Sequence, residues 1–182
     1  MAENLRPRHF EVALMEQRAQ EIVNECTRQQ ESCNYTSTAL YSWLKEIRVY
    51  RIAFITLPII FGSIASAKIL LKEPDWDWVT AIAALLAGLF PSIFKALDLD
   101  VSVKAISDAA HRFEVLRDRF RQASLIGAMK PTAELEEEFK LLMERMDETR
   151  GASLAIPERH FSVAQKKIGG GHYDFDVDAQ RK

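Results

Sequence analysis

The chain has 182 residues, of which 48% are hydrophobic and 27% are charged, and its formal net charge is −2. A nearly neutral chain has no excess of basic residues, so we expect no nucleic-acid partner. The mean hydropathy of −0.13 does not exclude a membrane protein, because a highly charged remainder dilutes any apolar segment. The length fits one structural unit.

The N-terminal part shows the spacing of an amphipathic helix. Apolar residues recur there at steps of three and four, as in a heptad seam. The sequence NYTS at Asn34–Ser37 is the one predicted break before a second helix, for which Ser37 is the expected N-cap. The first residues contain no apolar stretch of signal-peptide type, so we expect no cleavable signal. The seam residues are Val12, Met15, Ala19, Ile22 and Cys26.

Two cysteines fall on this N-terminal helical pattern. Cys26 and Cys33 are seven residues apart and therefore share one stripe of a helix. We expect them to be reduced and buried as small hydrophobic residues; a redox or metal-binding role is the alternative.

Two apolar segments of membrane-spanning length dominate the middle of the chain, Ile52–Leu71 and Trp78–Leu97. Twenty helical residues rise about 30 Å, which matches the hydrocarbon core of a bilayer. Neither segment has the polar face that a soluble amphipathic helix presents. The alternative is a soluble bundle with two unusually apolar core helices.

The energetics of insertion favour the membrane. The first segment contains eleven Leu, Ile, Phe or Val residues, which together contribute about −3 to −7 kcal/mol to insertion. The lysines Lys68 and Lys95 lie near segment ends, where their side chains reach the interface. We therefore predict an all-α fold in which a two-span transmembrane hairpin continues into a cytoplasmic helical bundle or coiled coil.

The charges beside the two segments predict their orientation. Lys45, Arg48 and Arg51 precede the first span, and Lys104 and Arg112 follow the second. The intervening turn, KEPDWD, carries one lysine and three acids. By the positive-inside rule both termini are expected in the cytoplasm, with the turn on the other side of the membrane.

After the second span the sequence predicts one long helix, Trp78–Leu125, that continues the apolar seam. Gly127 and Pro131 are expected to end it, and a last helix is expected from Thr132 to Gly151. Residues 1–151 thus form the predicted two-transmembrane helical domain. The seam residues are Leu99, Val103, Ile106, Ala110, Phe113 and Phe120.

Residues 152–182 are predicted to be a flexible C-terminal tail. Three consecutive glycines, 169–171, precede an alternating sequence from His172 to Asp178. This alternation is either a disordered terminus or a short strand that pairs with a partner's sheet. Calcium binding by Asp174, Asp176 and Asp178 is weakly indicated, because the glycine and glutamate of an EF-hand loop are missing.

The sequence contains no recognisable catalytic, cofactor-binding or metal-binding motif. GxxxxGK[ST], HExxH, CxxC and GxSxG are all absent. Asp98 and Asp100 follow the second span, but two carboxylates two residues apart on a helix point to different sides. We therefore expect no enzymatic activity, no cofactor and no metal.

Several features resemble the SLATT family, the SMODS- and SLOG-associating two-transmembrane effector domains of bacteria. The resemblance rests on the aromatic approach helix with Tyr41 and Trp43, the short turn, the second span AIAALLAGLF, and the following helix with His111 and Phe113. It covers residues 8–150 and does not extend to the tail. It implies a membrane effector of a nucleotide-signalling or anti-phage conflict system that oligomerises and permeabilises the inner membrane, with a sensor or second-messenger synthase as partner.

The sequence leaves three function classes open: a pore-forming effector, a non-conducting anchor that recruits a soluble enzyme through the cytoplasmic helices, and a membrane-embedded enzyme.

The pore-forming hypothesis assigns roles to particular residues. The alternative for each of them is ordinary packing within the transmembrane helices. Pro58 and Pro91 are at equal depth in a hairpin and are predicted hinges. Small residues for close helix packing are Gly62, Ser66, Ala84 and Gly88. Pore-lining candidates are Thr56, Ser63, Ser66, Thr80 and Ser92.

Overall fold

The computed structural model describes residues 6–71 and 77–173, without the side chains of residues 6–10, 68–71 and 99. All regular structure in these ranges is helical. Five α-helices follow one another, and a single 3₁₀ turn, Gly127–Met129, lies between the third and fourth. The helices are α1 Arg6–Leu71, α2 Asp77–Leu97, α3 Leu99–Leu125, α4 Thr132–Ala152 and α5 Glu158–Gly169.

The chain divides into two compact units, which corrects the expectation of one. Unit 1 comprises Met1–Ser42 and Ser107–Lys182, and unit 2 comprises Trp43–Ile106. The boundaries fall inside α1 and inside α3. Both units are therefore built from parts of the same long helices.

Unit 1 has an extensive apolar core. Its largest fully buried side chains come from α1, α3 and α4. The N-terminal part of α1 contacts α4 at two levels, through Arg18 with Glu136 at 2.5 Å and through Gln29 with Arg150 at 3.2 Å. Both residue numbers rise together, so α1 and α4 run in the same direction. The fully buried side chains are Phe120, Leu40, Leu135, Met146, Cys26 and Cys33.

The predicted break at Asn34–Ser37 is wrong, because α1 continues through it. No glycine or proline interrupts this stretch, and its hydroxyl groups bond back to the helix. Thr36 Oγ1 donates to the Ser32 carbonyl at 2.9 Å, and Ser37 Oγ donates to the Asn34 carbonyl at 3.2 Å. Ser37 is 3% exposed. It is therefore a core residue within a helix and not an N-cap.

The predicted helix Trp78–Leu125 is also wrong in one place, since Asp98 separates α2 from α3. Asp98 has a φ of 47°, the left-handed conformation that ends many helices. Aspartate is one of the few residues other than glycine that tolerate this conformation. The Asp98 N–H donates to the Lys95 carbonyl at 3.3 Å, and the Asp98 carbonyl accepts from the Ser102 N–H at 3.1 Å. The interruption therefore satisfies both backbone groups of Asp98.

The apolar seams are confirmed in part. On α3, Ile106, Ala110, Phe113 and Phe120 are at most 2% exposed. On α1, Ile22 and Cys26 are buried, but Val12 and Met15 are 56% and 55% exposed. Residues 11–18 are exposed throughout, so the first turns of the predicted seam do not reach the core of unit 1.

The end of α3 and the start of α4 are close to their predicted positions. Gly127 is buried beside Leu135, and a Cβ added at this glycine would lie 3.0 Å from Leu135 Cδ1. A larger residue would therefore require Leu135 Cδ1 to shift by a few tenths of an ångström. After Pro131, α4 begins at Thr132 as expected.

The expectation of a tail without regular structure is wrong for residues 158–169, which form α5 with His160 and Ala164 buried. His172 and Tyr173 lie in a turn, with Gly171 at a φ of 78°. The predicted strand and the weak calcium site at Asp174, Asp176 and Asp178 lie outside the described residues.

Candidate membrane-interaction surface

Unit 2 presents an unusually apolar surface. Two helices of the chain are long and apolar enough to cross a membrane, and only 6% of each apolar window is buried. A core helix of a soluble protein is mostly buried, so this exposure argues against that alternative. The exposed large apolar side chains of unit 2 are Val49, Tyr50, Ile52, Ile55, Ile59, Ile60, Ile64, Trp78, Ile82, Leu85, Leu89, Ile93, Leu97 and Val101. We call this set the apolar belt.

A narrow inner face joins α1 to α2. The ring centroid of Phe90 lies 5.5 Å from that of Phe54 and 5.9 Å from that of Phe61. Both distances are typical of favourable aromatic pairs. Phe54 and Phe61 are two turns apart, so Phe90 packs between them on one stripe of α1.

Small residues complete this inner face. Ala65 and Ala83 are 8% and 5% exposed, the lowest values in the two apolar segments. The antiparallel register set by the phenylalanines places these two alanines at one level, where small side chains let helices approach closely. The same register places Pro58 opposite Pro91. Both prolines lie inside their helices, which continue through them.

An ion pair lies where the apolar segments begin and end. Arg51 Nε donates to Asp100 Oδ1 at 2.5 Å, and both side chains are about half exposed. Arg51 directly precedes Ile52, whereas Asp100 follows the break at Asp98. An exposed pair contributes little in water, about 0–1 kcal/mol, but its attraction grows in a less polar environment.

Within the described residues, the predicted packing positions make no close contact between helices. A Cβ added at Gly62 or Gly88 would meet no atom within 4 Å. Ser66 and Ala84 are exposed. These four residues therefore remain accessible, and their role in packing against another copy stays a prediction.

Most of the predicted pore-lining hydroxyl residues are also on the outside. Thr56, Ser63 and Ser92 are exposed, as is Ser66, whereas Thr80 is half-buried. Ser63 Oγ donates to the Ile59 carbonyl at 2.8 Å, and Ser66 Oγ donates to the Gly62 carbonyl at 2.9 Å. Hydroxyls satisfied by their own helix can lie in an apolar environment at little cost.

Sequence reasoning missed the inner face and the ion pair. The seven-residue spacing of Phe54 and Phe61 is a signal for a shared stripe. The Arg51–Asp100 pair depends on α3 restarting directly after Asp98, and no sequence motif predicted that break.

Both cysteines of the chain lie buried in unit 1. Burial raises the pKa of the Cys26 and Cys33 thiols to about 11, so neither is a thiolate near neutral pH. Cys33 Sγ lies 3.8 Å from Met146 Sδ. The prediction that both cysteines are buried hydrophobic residues is confirmed. Among the described side chains, no group of three His, Cys, Asp or Glu is arranged to hold a metal ion.

An open cleft of about 410 Å³ lies on the surface of unit 1, between the end of α3 and α4. Its wall mixes cations and carboxylates, and the ammonium of Lys130 lies 2.7 Å from Glu138 Oε2. The hydrogen bond with this carboxylate raises the pKa of Lys130. The lining residues are Arg119, Lys130, Glu134, Glu137, Glu138, Leu141, Leu142 and Arg145.

Comparisons with protein families, curated proteins and solved structures find no match for this chain.

Proposed function

We propose that the chain is a bacterial membrane effector whose segments Ile52–Leu71 and Trp78–Leu97 cross the inner membrane as a hairpin. The observation that supports this most is the apolar belt, because water would be in contact with side chains such as Ile59 and Leu85, which are 65% and 62% exposed. In a bilayer the same side chains contribute favourably to insertion. The inner face formed by the three phenylalanines holds the hairpin together.

The proposed orientation places both termini in the cytoplasm. Lys45, Arg48, Arg51 and Lys104 are exposed next to the apolar segments, and the turn between the segments is acidic. Reporter fusions test this orientation. A cytoplasm-active reporter is expected to work at either terminus, and a periplasm-active one in the turn. A periplasm-active reporter that works at a terminus overturns it.

The effector acts by assembling into a pore. Two helices cannot enclose a water-filled path, so several copies must contribute their hairpins. Gly62 and Gly88 have no neighbour at their missing Cβ, which leaves two surfaces where another helix can approach closely. The exposed hydroxyl residues Thr56, Ser63 and Ser92 provide polar groups on the same helices.

Ion flux from vesicles tests the conducting activity. The purified chain is reconstituted with a potassium gradient, and flux is compared with that of Gly62→Leu. Leucine favours insertion but holds helices apart, so the variant is expected to insert normally, form smaller crosslinked oligomers and conduct less. Ala67→Leu, at another exposed position of α1, is the matched control. An inserted parent chain that conducts no ions contradicts the pore.

A non-conducting anchor or scaffold is the second candidate. It is favoured by the charged cleft of unit 1 and by the neighbouring Ile126 and Met129, which are 64% and 88% exposed. Such a surface fits a soluble partner enzyme, for example a sensor or a second-messenger synthase. Charge reversal at Arg145 together with Met129→Glu removes partner binding under this alternative, while vesicles containing the parent chain stay sealed.

A further inference from the structure

The C-terminal helix α5 is attached to the part of α1 that precedes the apolar belt. His160 Nδ1 lies 3.3 Å from Ser42 Oγ. The Thr38 hydroxyl donates to the Tyr173 hydroxyl at 3.2 Å. Thr38 and Ser42 are four residues apart and therefore lie on one face of α1. Ser42 precedes Ile52 by about three helical turns. We call the segment Glu158–Tyr173 the C-terminal clamp.

The two contacts have a defined hydrogen-bonding geometry. Arg159 Nε donates to His160 Nε2 at 3.3 Å, so Nε2 acts as an acceptor. The remaining ring nitrogen, Nδ1, then carries the hydrogen and donates it to Ser42. His160 is 3% exposed and Thr38 is 2% exposed. Because these polar groups are buried, separating the clamp from α1 requires new partners for each of them.

The clamp is built on a short helix. α5 has 12 residues, and its buried residues are His160 and Ala164. An isolated helix of this length is marginal in water, so it depends on its contact with α1. Residues 153–157, which connect it to α4, form no helix. Among the described residues, none of the largest fully buried side chains belongs to the clamp, so we expect its detachment to be a local opening of unit 1.

We propose that the C-terminal clamp is an autoinhibitory element that holds α1 in the inactive arrangement, and that its release activates the effector. Release frees the face of α1 with Thr38 and Ser42. Because the same helix continues into Ile52–Leu71, a change at this face is transmitted along a continuous backbone. This inference rests on the proposed function for its activity readout, and its second readout is oligomer size.

The first experiment compares three forms of the chain in vesicles of phosphatidylethanolamine and phosphatidylglycerol. One form ends at Ala155 and lacks the clamp. Another carries Ser42→Cys and His160→Cys, which are joined into a lock by a bis-maleimide crosslinker with a disulfide in its spacer. Cys26 and Cys33 stay in place, since both are buried with a raised thiol pKa. Relative to the parent, the shortened chain is expected to raise potassium flux roughly tenfold and the crosslinked lock to lower it by a similar factor. A reductant reverses the lock.

Point variants test the clamp in a full-length chain, in case the shortened chain misfolds. His160→Ala and Tyr173→Phe each remove one contact between clamp and α1, and both are expected to raise flux and oligomer size. Gln165→Ala, on the exposed side of α5, is the matched control and is expected to behave like the parent.

The possible results distinguish the autoinhibition proposal from the pore proposal. If the unlocked forms assemble into larger oligomers than the locked form but none conducts, the clamp stands and the pore is wrong. If the parent conducts and all forms match it in flux and oligomer size, the pore stands and the clamp is wrong. If no form conducts and all have the same oligomer size, both proposals are wrong.

Discussion

Unit 1 and unit 2 are built from the same kind of helix but have opposite surfaces. In unit 1, large side chains such as Phe120 and Leu135 are fully buried, and the exposed positions carry many charged residues beside scattered apolar ones. In the apolar segments of unit 2, Ala65 and Ala83 are the buried hydrophobic residues, while large aliphatic side chains such as Ile59 and Leu85 point outward. Burial of large side chains is what stabilises a helical unit in water, so the exposed large residues of unit 2 indicate a different solvent.

The largest effect is expected from a charge placed in the apolar belt. Leu85→Asp replaces a favourable contribution to insertion with an unfavourable one, a loss of about 3–4 kcal/mol. Combined with Ile59→Asp, each apolar segment loses about 3–4 kcal/mol, which is comparable to the lower end of the gain of about 3–7 kcal/mol from the first segment. The double variant is therefore expected to be depleted from the membrane fraction.

Leu141 provides the matched control for this experiment. It is 49% exposed, comparable to Leu85, but lies on α4 in unit 1. Leu141→Asp is expected to leave membrane association unchanged, as measured by fractionation of expressing cells. Equal retention of the double variant and the control in the membrane would remove the distinction between the two surfaces.

The next effect concerns the core of unit 1. Phe120 is fully buried, so Phe120→Ala loses transfer energy and leaves a cavity, a cost of about 3–5 kcal/mol in the free energy of unfolding. Val115→Ala, at a 43% exposed position of the same helix, is expected to cost well under half as much. Thermal unfolding followed by circular dichroism measures both. Similar losses for the two variants would mean that α3 packs differently.

A smaller effect is expected from the prolines of unit 2. Pro58 and Pro91 cannot donate a hydrogen bond to the carbonyls of Phe54 and Ala87, which makes both helices easier to bend. Pro58→Ala with Pro91→Ala restores these donors and is expected to reduce ion flux in part, while insertion and oligomer size stay near those of the parent. Ile93→Leu, an exposed position two residues from Pro91 that belongs to neither the packing nor the pore-lining set, is the control. Unchanged flux in the double variant would limit the prolines to a packing role.

The smallest effect is a loss of stability at high pH. The Cys26 and Cys33 thiols keep their protons in the folded chain up to a pKa of about 11, whereas the unfolded chain releases them near 9.0. The unfolded state is therefore favoured increasingly as pH rises from 9 towards 11, by about 1 kcal/mol per thiol at pH 10. Below pH 9 this contribution to stability is fully present. The slope of melting temperature against pH is expected to flatten in Cys26→Ala with Cys33→Ala; an unchanged slope would contradict the assigned burial.

Periodicity predicted much of this fold, because buried faces recur along a helix. It identified Ile106, Ala110, Phe113 and Phe120 as core residues and located the boundaries of α4. It failed where a residue can adopt either of two local structures. Ser37 is a good N-cap by type, but in α1 it bonds to its own helix. Asp98 adopts a left-handed conformation that its sequence neighbours do not signal.

In the candidate membrane-interaction surface, the sequence predicted the apolar segments but not the inner face. Length and composition identify the apolar segments, since these properties do not depend on partners. The inner face depends on which side of α1 meets α2, and both sides of each segment are apolar. The ring contacts of Phe90 with Phe54 and Phe61 show which side of α1 faces α2, and amino-acid composition does not predict these contacts. α5 was missed because its buried residues, His160 and Ala164, are a weak apolar signal.

The most direct test of lipid contact uses two cysteine substitutions at residues that are similarly exposed in the chain. Leu85→Cys lies in the apolar belt and Leu141→Cys lies in unit 1, and each is introduced into the parent chain. A water-soluble maleimide is added to inside-out vesicles, and labelling is compared before and after detergent solubilisation in urea. If the apolar belt lies in lipid, labelling is expected to be rapid at position 141 and almost absent at 85 until the bilayer is dissolved. Equal labelling at both positions in intact vesicles would contradict lipid contact, because water would then reach the apolar belt.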